Sequence, residues 1–266
     1  RANTVLKIAV PIISVIIAFV IGGIIILALG KNPLEAYSFL LVGSFGSAQR
    51  IAQTLEGACP LIFTGLAATF AYKCGVFNLG GEGQFIMGAV ASISFIQLSG
   101  MEGLPAVILS ILLGAVAGGI WGAIPGLLKV TRGLNEMIVS IMLNYVATLF
   151  MGFIFTNLLR EAEMPQTAPV PDSTKLIDIS EGLRAHVGII IALVVALAVF
   201  YFLKYTSKGF QLRAVGMNAL ASKVNGYYVG RLMLFSFVVS GAIAGMGGSI
   251  ELHGKQFRSE ERRVGK

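Results

Sequence analysis

LPAVILSILLGAVAGGIWGAIPGLL, residues 104–128, carries no charged side chain, and its reading decides the fold class. Crossing about 30 Å of hydrocarbon takes about 20 apolar residues as a helix rising about 1.5 Å per residue, and this stretch is long enough. Residues 8–30 and 137–159 are equally free of charge and read the same way. Lipid offers backbone amides and carbonyls no partner, so each stretch has to be helical. Composition agrees, because 56% of the 266 residues are hydrophobic and 12% are charged, where a soluble globular chain carries about a quarter charged residues. The sequence therefore predicts an all-α, polytopic transmembrane helical bundle.

The apolar run at 8–30 is far longer than the core of a secretion signal, about 7–15 residues, and no small-residue cleavage site follows it, so it reads as a retained span. A net charge of +7 would suit nucleic acid if the bases formed a stripe. They are scattered between apolar segments instead, which points to membrane topology and to no nucleic-acid partner. Cys59 and Cys74 lack a C-x-x-C pattern, and only His186 and His253 stand ready to join them. Packed thiols are the expectation, with no metal site.

Working outward from the first span, residues 31–56 hold Pro33, Arg50 and Glu56 and read as an extracytoplasmic connection with an interfacial helix. Spans are then expected at 57–72, 83–101, 104–128, 137–159, 187–203 and 232–250, giving about seven crossings. The stretches at 57–72 and 83–101 are near the lower length limit, which suggests broken or buried helices. Positive side chains are retained on the cytoplasmic side, and alternate connections carry them: Arg1 and Lys7, Lys73, Lys129 and Arg132, then Lys204, Lys208, Arg213, Lys223 and Arg231. The loop at 160–184 holds Glu161, Glu163, Asp172, Asp178 and Glu181 and fits the outside, where Lys31 and Arg50 are exceptions. Small-residue patches at 114–119 and 241–248 allow close helix approach. Their shared Gly-Ala-(Val/Ile)-Ala-Gly start, on spans of opposite direction, hints at an inverted internal repeat.

The permease domain is expected to occupy 1–257. The charged run at 258–266 breaks abruptly from the apolar pattern before it. The codons AGA TCG GAA GAG CGT CGT GTA GGG AAA encode this peptide, and that string looks like a short-read sequencing adapter. A non-native tail is expected there, with the natural gene continuing past Phe257 into further spans. The absence of Met at position 1 points to truncation at that end too.

Function is most legible at 206–227, TSKGFQLRAVGMNALASKVNGY, within a cytoplasmic loop at 205–230. Asn218 is a good helix N-cap, residues 219–225 suit about two turns, and Gly226 suits the left-handed position that ends a helix. A capped helix flanked by Arg213 and Lys223 is what a soluble motor needs to grip. An ordinary amphipathic connector would show the same signals.

The Arg213-Ala-Val-Gly-x-Asn218 core, with its alanine-rich continuation to Gly226, resembles the coupling loop of permeases in the ABC importer family that serves branched-chain amino acids, simple sugars and nucleosides. Gly75-Val-Phe-Asn-Leu-Gly-Gly-Glu-Gly-Gln-Phe85, Thr131-Arg-Gly-Leu-Asn-Glu136 and Ser140-Ile-Met-Leu-Asn-Tyr145 resemble the nucleoside and simple-sugar branch of that family, including the permeases that accompany basic-membrane-lipoprotein receptors. The likeness runs through nearly all of 31–254 and is specific in combination. Ala219 stands where such permeases usually have Pro, and Met217 where an acid is common. The resemblance implies a type II importer permease fold in a bacterial cytoplasmic membrane. It also implies an ABC ATPase subunit, a second permease subunit (homo- or heterodimer) and an extracytoplasmic substrate-binding lipoprotein. Arg213, Gly216, Asn218, Ala219, Leu220, Ala221, Ser222, Lys223 and Gly226 would then couple to the ATPase.

No G-x-x-x-x-G-K-(S/T) loop occurs; residues 248–255 have one residue too many before Lys255, and Gln256 follows where a hydroxyl is required. Enzymatic activity and a cofactor are accordingly not expected on this chain, and ATP is expected to act on the partner subunit. For the solute path, Asn78, Glu82 and Gln84 sit in a glycine-broken segment between two short apolar stretches, the kind of break that exposes backbone groups at transport sites. A tight cytoplasmic turn with Glu82 solvated beside Lys73 is the other reading. Asn144 and Tyr145 are polar positions in an apolar helix and are expected to face the bundle, lining the path or bonding a neighbour. A nucleoside is the first expectation for the solute, then a simple sugar, then a branched-chain amino acid. Few intramembrane charges argue against an ionic solute. An intramembrane enzyme would need a catalytic constellation at bilayer depth, and none is visible. An ion-coupled carrier would need several buried carboxylates, and only Glu82 is a candidate.

Overall fold

A computed structural model describes residues 2–157, 160–161, 164–167, 171–176 and 187–256. Most of the acidic loop, His186 and the run at 258–266 lie outside the described residues. The chain folds as α1 (Ala2–Ala28), α2 (Pro33–Phe45), α3 (Ala48–Lys73), α4 (Gly81–Ser99), α5 (Gly103–Arg132), α6 (Glu136–Asn157), α7 (Gly188–Tyr205), α8 (Ser207–Met217), α9 (Ala219–Val224) and α10 (Val229–Glu251). A short antiparallel pairing of Arg160–Glu161 with Met164–Thr167 follows α6. A 3-10 turn at Asp172–Thr174 and a π-turn at Leu252–Gln256 complete the described elements.

Packing divides the chain into two units, Arg1–Thr54 and Leu55–Lys266. In the first, Asn32 caps α2 by accepting from the Leu34 amide. The Tyr37 hydroxyl donates to the Phe19 carbonyl, and the Arg50 guanidinium donates to the Val42 carbonyl at 2.7 Å. The connection expected at 31–56 is thus mostly helix, and its last part belongs to α3. The span expected to be short at 57–72 therefore reaches back to Ala48 and is 26 residues long.

In the second unit α4, α5 and α10 form the core, with α5 on α10 as the most extensive contact. The two glycine patches meet here, running antiparallel. A Cβ on Gly118 would collide with the Gly241 carbonyl oxygen and lie 2.8 Å from the Gly245 Cα. One on Gly122 would lie 2.6 Å from the Phe237 carbonyl oxygen, and one on Gly126 2.9 Å from the Phe237 Cβ. One residue per turn on each helix is stripped to hydrogen, which lets the backbones touch. A second, apolar cluster built on Phe63, Phe70, Leu212, Val215, Phe237 and Ile250 packs α3 and α8 against α10.

Helices occupy all seven expected spans. By length and composition five of them, α3, α5, α6, α7 and α10, are apolar enough to cross a membrane, and α1 holds a shorter apolar helix at Ile12–Ala28. α4 carries Gln84 and Gln97, and it tolerates them because its packing partners are other helices, α5, α10 and α6, while Glu82 in its first turn is exposed. Within the second unit the cationic connections gather at one end. Gly75 touches Gly216, Gly230 approaches Val130, and the Phe77 amide bonds the Glu136 carboxylate that also accepts from Lys129 at 2.6 Å. At the other end Ser173 donates to Glu102 at 3.3 Å, and the His253 ring lies 2.9 Å from the Thr174 carbonyl oxygen.

Candidate functional site

Residues 74–80 leave the end of α3 and turn into α4. Gly75 makes the turn at φ +77, a conformation that side-chain-bearing residues rarely adopt. Burial of the neighbouring Cys74 pushes its thiol from the usual 9.0 up to about 11, partly offset by the Ser236 hydroxyl. This leaves the thiol protonated and unreactive at neutral pH.

Beyond Gly75 a buried polar clasp closes. Asn78 donates to the Gln84 carbonyl oxygen at 2.8 Å and to the Ser240 hydroxyl at 2.8 Å. Its own carbonyl oxygen accepts from the Gln84 amide and the Gly80 backbone amide, both at 3.0 Å. The Ser240 hydroxyl in turn donates to the Ala67 carbonyl at 2.7 Å. The clasp thereby ties the turn to α3, α4 and α10. One turn along, Asn144 on α6 accepts from the Gly83 amide at 2.9 Å and donates to the Leu79 carbonyl at 3.0 Å. The amide groups expected along the solute path are therefore brought together, but Asn78 and Gln84 spend their hydrogen bonds on each other and on the scaffold. Glu82, in the first turn of α4, is exposed. Tyr145 was expected to face the bundle and is instead turned outward, 68% exposed. Successive helical residues point about 100° apart, so Asn144 turned inward places Tyr145 on another face.

The element at 205–230, expected on the cytoplasmic side, has the local caps that the sequence predicts, with one addition. Thr206 ends α7 by donating to the Phe202 carbonyl at 2.6 Å and starts α8 by accepting from the Gly209 amide at 3.0 Å. Thr206 followed by Ser-Lys-Gly is the local signal for the start of α8, the one helix here that the sequence analysis does not predict. Asn218, extended at φ −158, caps α9 by accepting from the Ala221 amide at 2.9 Å. The helix stops with Gly226 at φ +82, where the Tyr227 amide returns to the Ser222 carbonyl and the Gly226 amide to that of Lys223. This is the paired 6→1 and 5→2 closure that a left-handed residue permits. Ser222 is buried while Leu220 is 75% and Val224 83% exposed, so α9 holds an apolar face outward beside Lys223. Ala219 is partly buried, and Ala221 and Gly216 are exposed.

Arg213 and Lys73 line a cavity of about 360 Å3 with Tyr72, Gly75, Gly216 and Met217, between α3 and α8. The Arg213 Nε is buried and makes no hydrogen bond among the described residues. Among those residues no group of three or more His, Cys, Asp or Glu side chains is placed to hold a metal ion.

Residues 50–260 match the family model described as branched-chain amino acid transport system / permease component. The guanosine ABC transporter permease protein NupP of Bacillus subtilis is 36% identical over 250 residues, covering 91% of this chain and 71% of its own. The nucleoside ABC transporter permease protein NupB of Lactococcus lactis is 34% identical over 261 residues, 93% of this chain and 71% of its own. A glucose ABC transporter permease protein of Haloferax volcanii is 30% identical over 260 residues, 93% and 68% respectively. No solved structure matches.

Proposed function

This chain belongs to the permease component family of branched-chain amino acid transport systems, and from that membership we propose that it is the membrane subunit of an ATP-driven nucleoside importer. The observation that carries the reading is the capped α9. It is a short helix with exposed Leu220 and Val224, standing on the end of the bundle that collects the cationic connections. The nucleoside preference rests on relatives whose names specify guanosine and nucleosides; the glucose relative supports a simple sugar as the second choice.

In this reading the chain is a multi-pass protein of the bacterial cytoplasmic membrane, works beside a second permease subunit, and receives its solute from an extracytoplasmic lipoprotein. ATP is hydrolysed on a separate subunit that grips α9 with help from Arg213 and Lys223. Motion of α9 tilts the helices around the path. Glu82 and Tyr145, both exposed, are our candidates to meet the solute. Asn78, Gln84 and Asn144 hold the broken start of α4 in shape, so the path keeps weak contacts and releases its cargo. Uptake of labelled nucleoside and labelled glucose by cells carrying the complete operon tests this. Saturable nucleoside uptake, weakened in apparent affinity by Glu82→Gln or Tyr145→Ala, is expected. Glucose uptake without nucleoside competition would overturn the substrate assignment.

A further inference from the structure

Two backbones meet where α8 crosses the start of the 74–80 turn. A Cβ on Gly75 would lie 3.0 Å from the Gly216 Cα, and one on Gly216 would collide with the Lys73 carbonyl oxygen and lie 3.0 Å from the Gly75 amide nitrogen. No side chain cushions this contact, so a displacement of α8 is passed on undamped. On the α8 side it is seated by Leu212 and Val215, and on the turn side by Cys74 and Val76, all buried. Asn218, which ends α8 and starts α9, lies two positions from Gly216, and Asn78 lies three from Gly75. Between them the Phe77 amide is held by Glu136, which is paired with Lys129. A continuous rigid route therefore runs from α9 through Gly216 and Gly75 to the Asn78–Gln84–Ser240 clasp, branching at Phe77 to the α5–α6 corner.

We infer that the Gly216–Gly75 contact is the joint through which movement of α9 reaches the broken start of α4, and that it stays closed through the transport cycle. The inference rests on α9 being the part the ATPase grips. Gly216 and Gly75 act as positioning residues, because they touch neither solute nor nucleotide.

The test uses the assembled transporter in proteoliposomes, reading ATP hydrolysis and nucleoside accumulation together. Gly216→Ala is expected to keep ATP hydrolysis within about twofold and to lower accumulation at least tenfold, since the added methyl parts the two backbones. In a Tyr72→Cys/Met217→Cys variant, a short bifunctional thiol reagent bridges the two rims of the cavity. Buried Cys59 and Cys74 are spared. Accumulation is expected to persist within twofold after bridging, because a joint that stays closed loses nothing when locked. Loss of accumulation on bridging, restored by a reductant, would mean that the contact opens during the cycle and would overturn the inference. So would unchanged accumulation in Gly216→Ala. Leu220→Asp on the exposed face of α9 separates the two claims. If that variant still imports normally, the grip on α9 fails; if it is inactive while Gly216→Ala is normal, only the joint fails.

Discussion

Replacing Asn78 with alanine deletes four hydrogen bonds at once, two with Gln84, one with Ser240 and one with the Gly80 amide. Side-chain bonds between membrane helices average about 0.6 kcal/mol. The residual Gln84 amide, 1% exposed, would add the cost of an unpartnered buried group, about 1–3 kcal/mol. Asn78→Ala should therefore lose about 3–5 kcal/mol, and Gln84→Leu, which leaves Asn78 with only Ser240 and the Gly80 amide, about 2 kcal/mol. The double variant deletes the shared pair once and leaves neither amide stranded, so it should be more stable than the two losses combined by about 2–4 kcal/mol. Reversible unfolding in mixed detergent micelles, with increasing SDS, measures each corner of this cycle. Losses that add within about 0.3 kcal/mol would refute the reciprocal clasp as the energetic link between the turn and α4.

Three further outcomes follow from other parts of the chain. Gly118→Ala forces a methyl into the Gly241 carbonyl and should cost about 1–3 kcal/mol, whereas Gly65→Ala, with nothing within 4 Å of the new atom, should be neutral or slightly stabilising in the same micelle assay. Asn218→Ala removes the cap of α9 at a cost of about 1 kcal/mol; amide exchange should quicken at 219–224 while the α5–α10 core stays protected. The raised Cys74 thiol means the folded chain holds that proton more tightly than the unfolded chain. Its contribution is fully present below pH 9.0 and is lost as pH rises toward about 11. Through that window this thiol should contribute a fall in stability with a slope of up to about 1.4 kcal/mol per pH unit, and Cys74→Ala should remove that contribution.

Much of this was readable along the chain because it is local. Asn218 and Gly226 sit at fixed offsets around a short helix, and cap chemistry depends on few neighbours, so α9 formed where the residues indicate. Charge-free length likewise marks the spans without knowledge of their partners. The partners of the clasp were not legible. Asn78 and Ser240 meet only because α10 crosses α4, and nothing near either residue announces that meeting. The glycine patches look alike in sequence, yet their physical meaning is complementarity, since each is the seat of the other. Tyr145 illustrates a different gap: polar character says that a residue seeks a partner, but helical phase decides which side it faces. The span expected at 57–72 is longer than its apolar run for a similar reason, because polar residues at 48–56 continue α3 where composition suggested a connection with an interfacial helix.

The central claim is that energy enters this permease through α9 from a separate ATPase subunit. Its most direct test is nucleoside accumulation against a gradient in proteoliposomes containing the complete transporter, compared with vesicles that lack only the ATPase. We expect ATP-dependent accumulation in the first and none in the second. Equal accumulation in both would contradict the account.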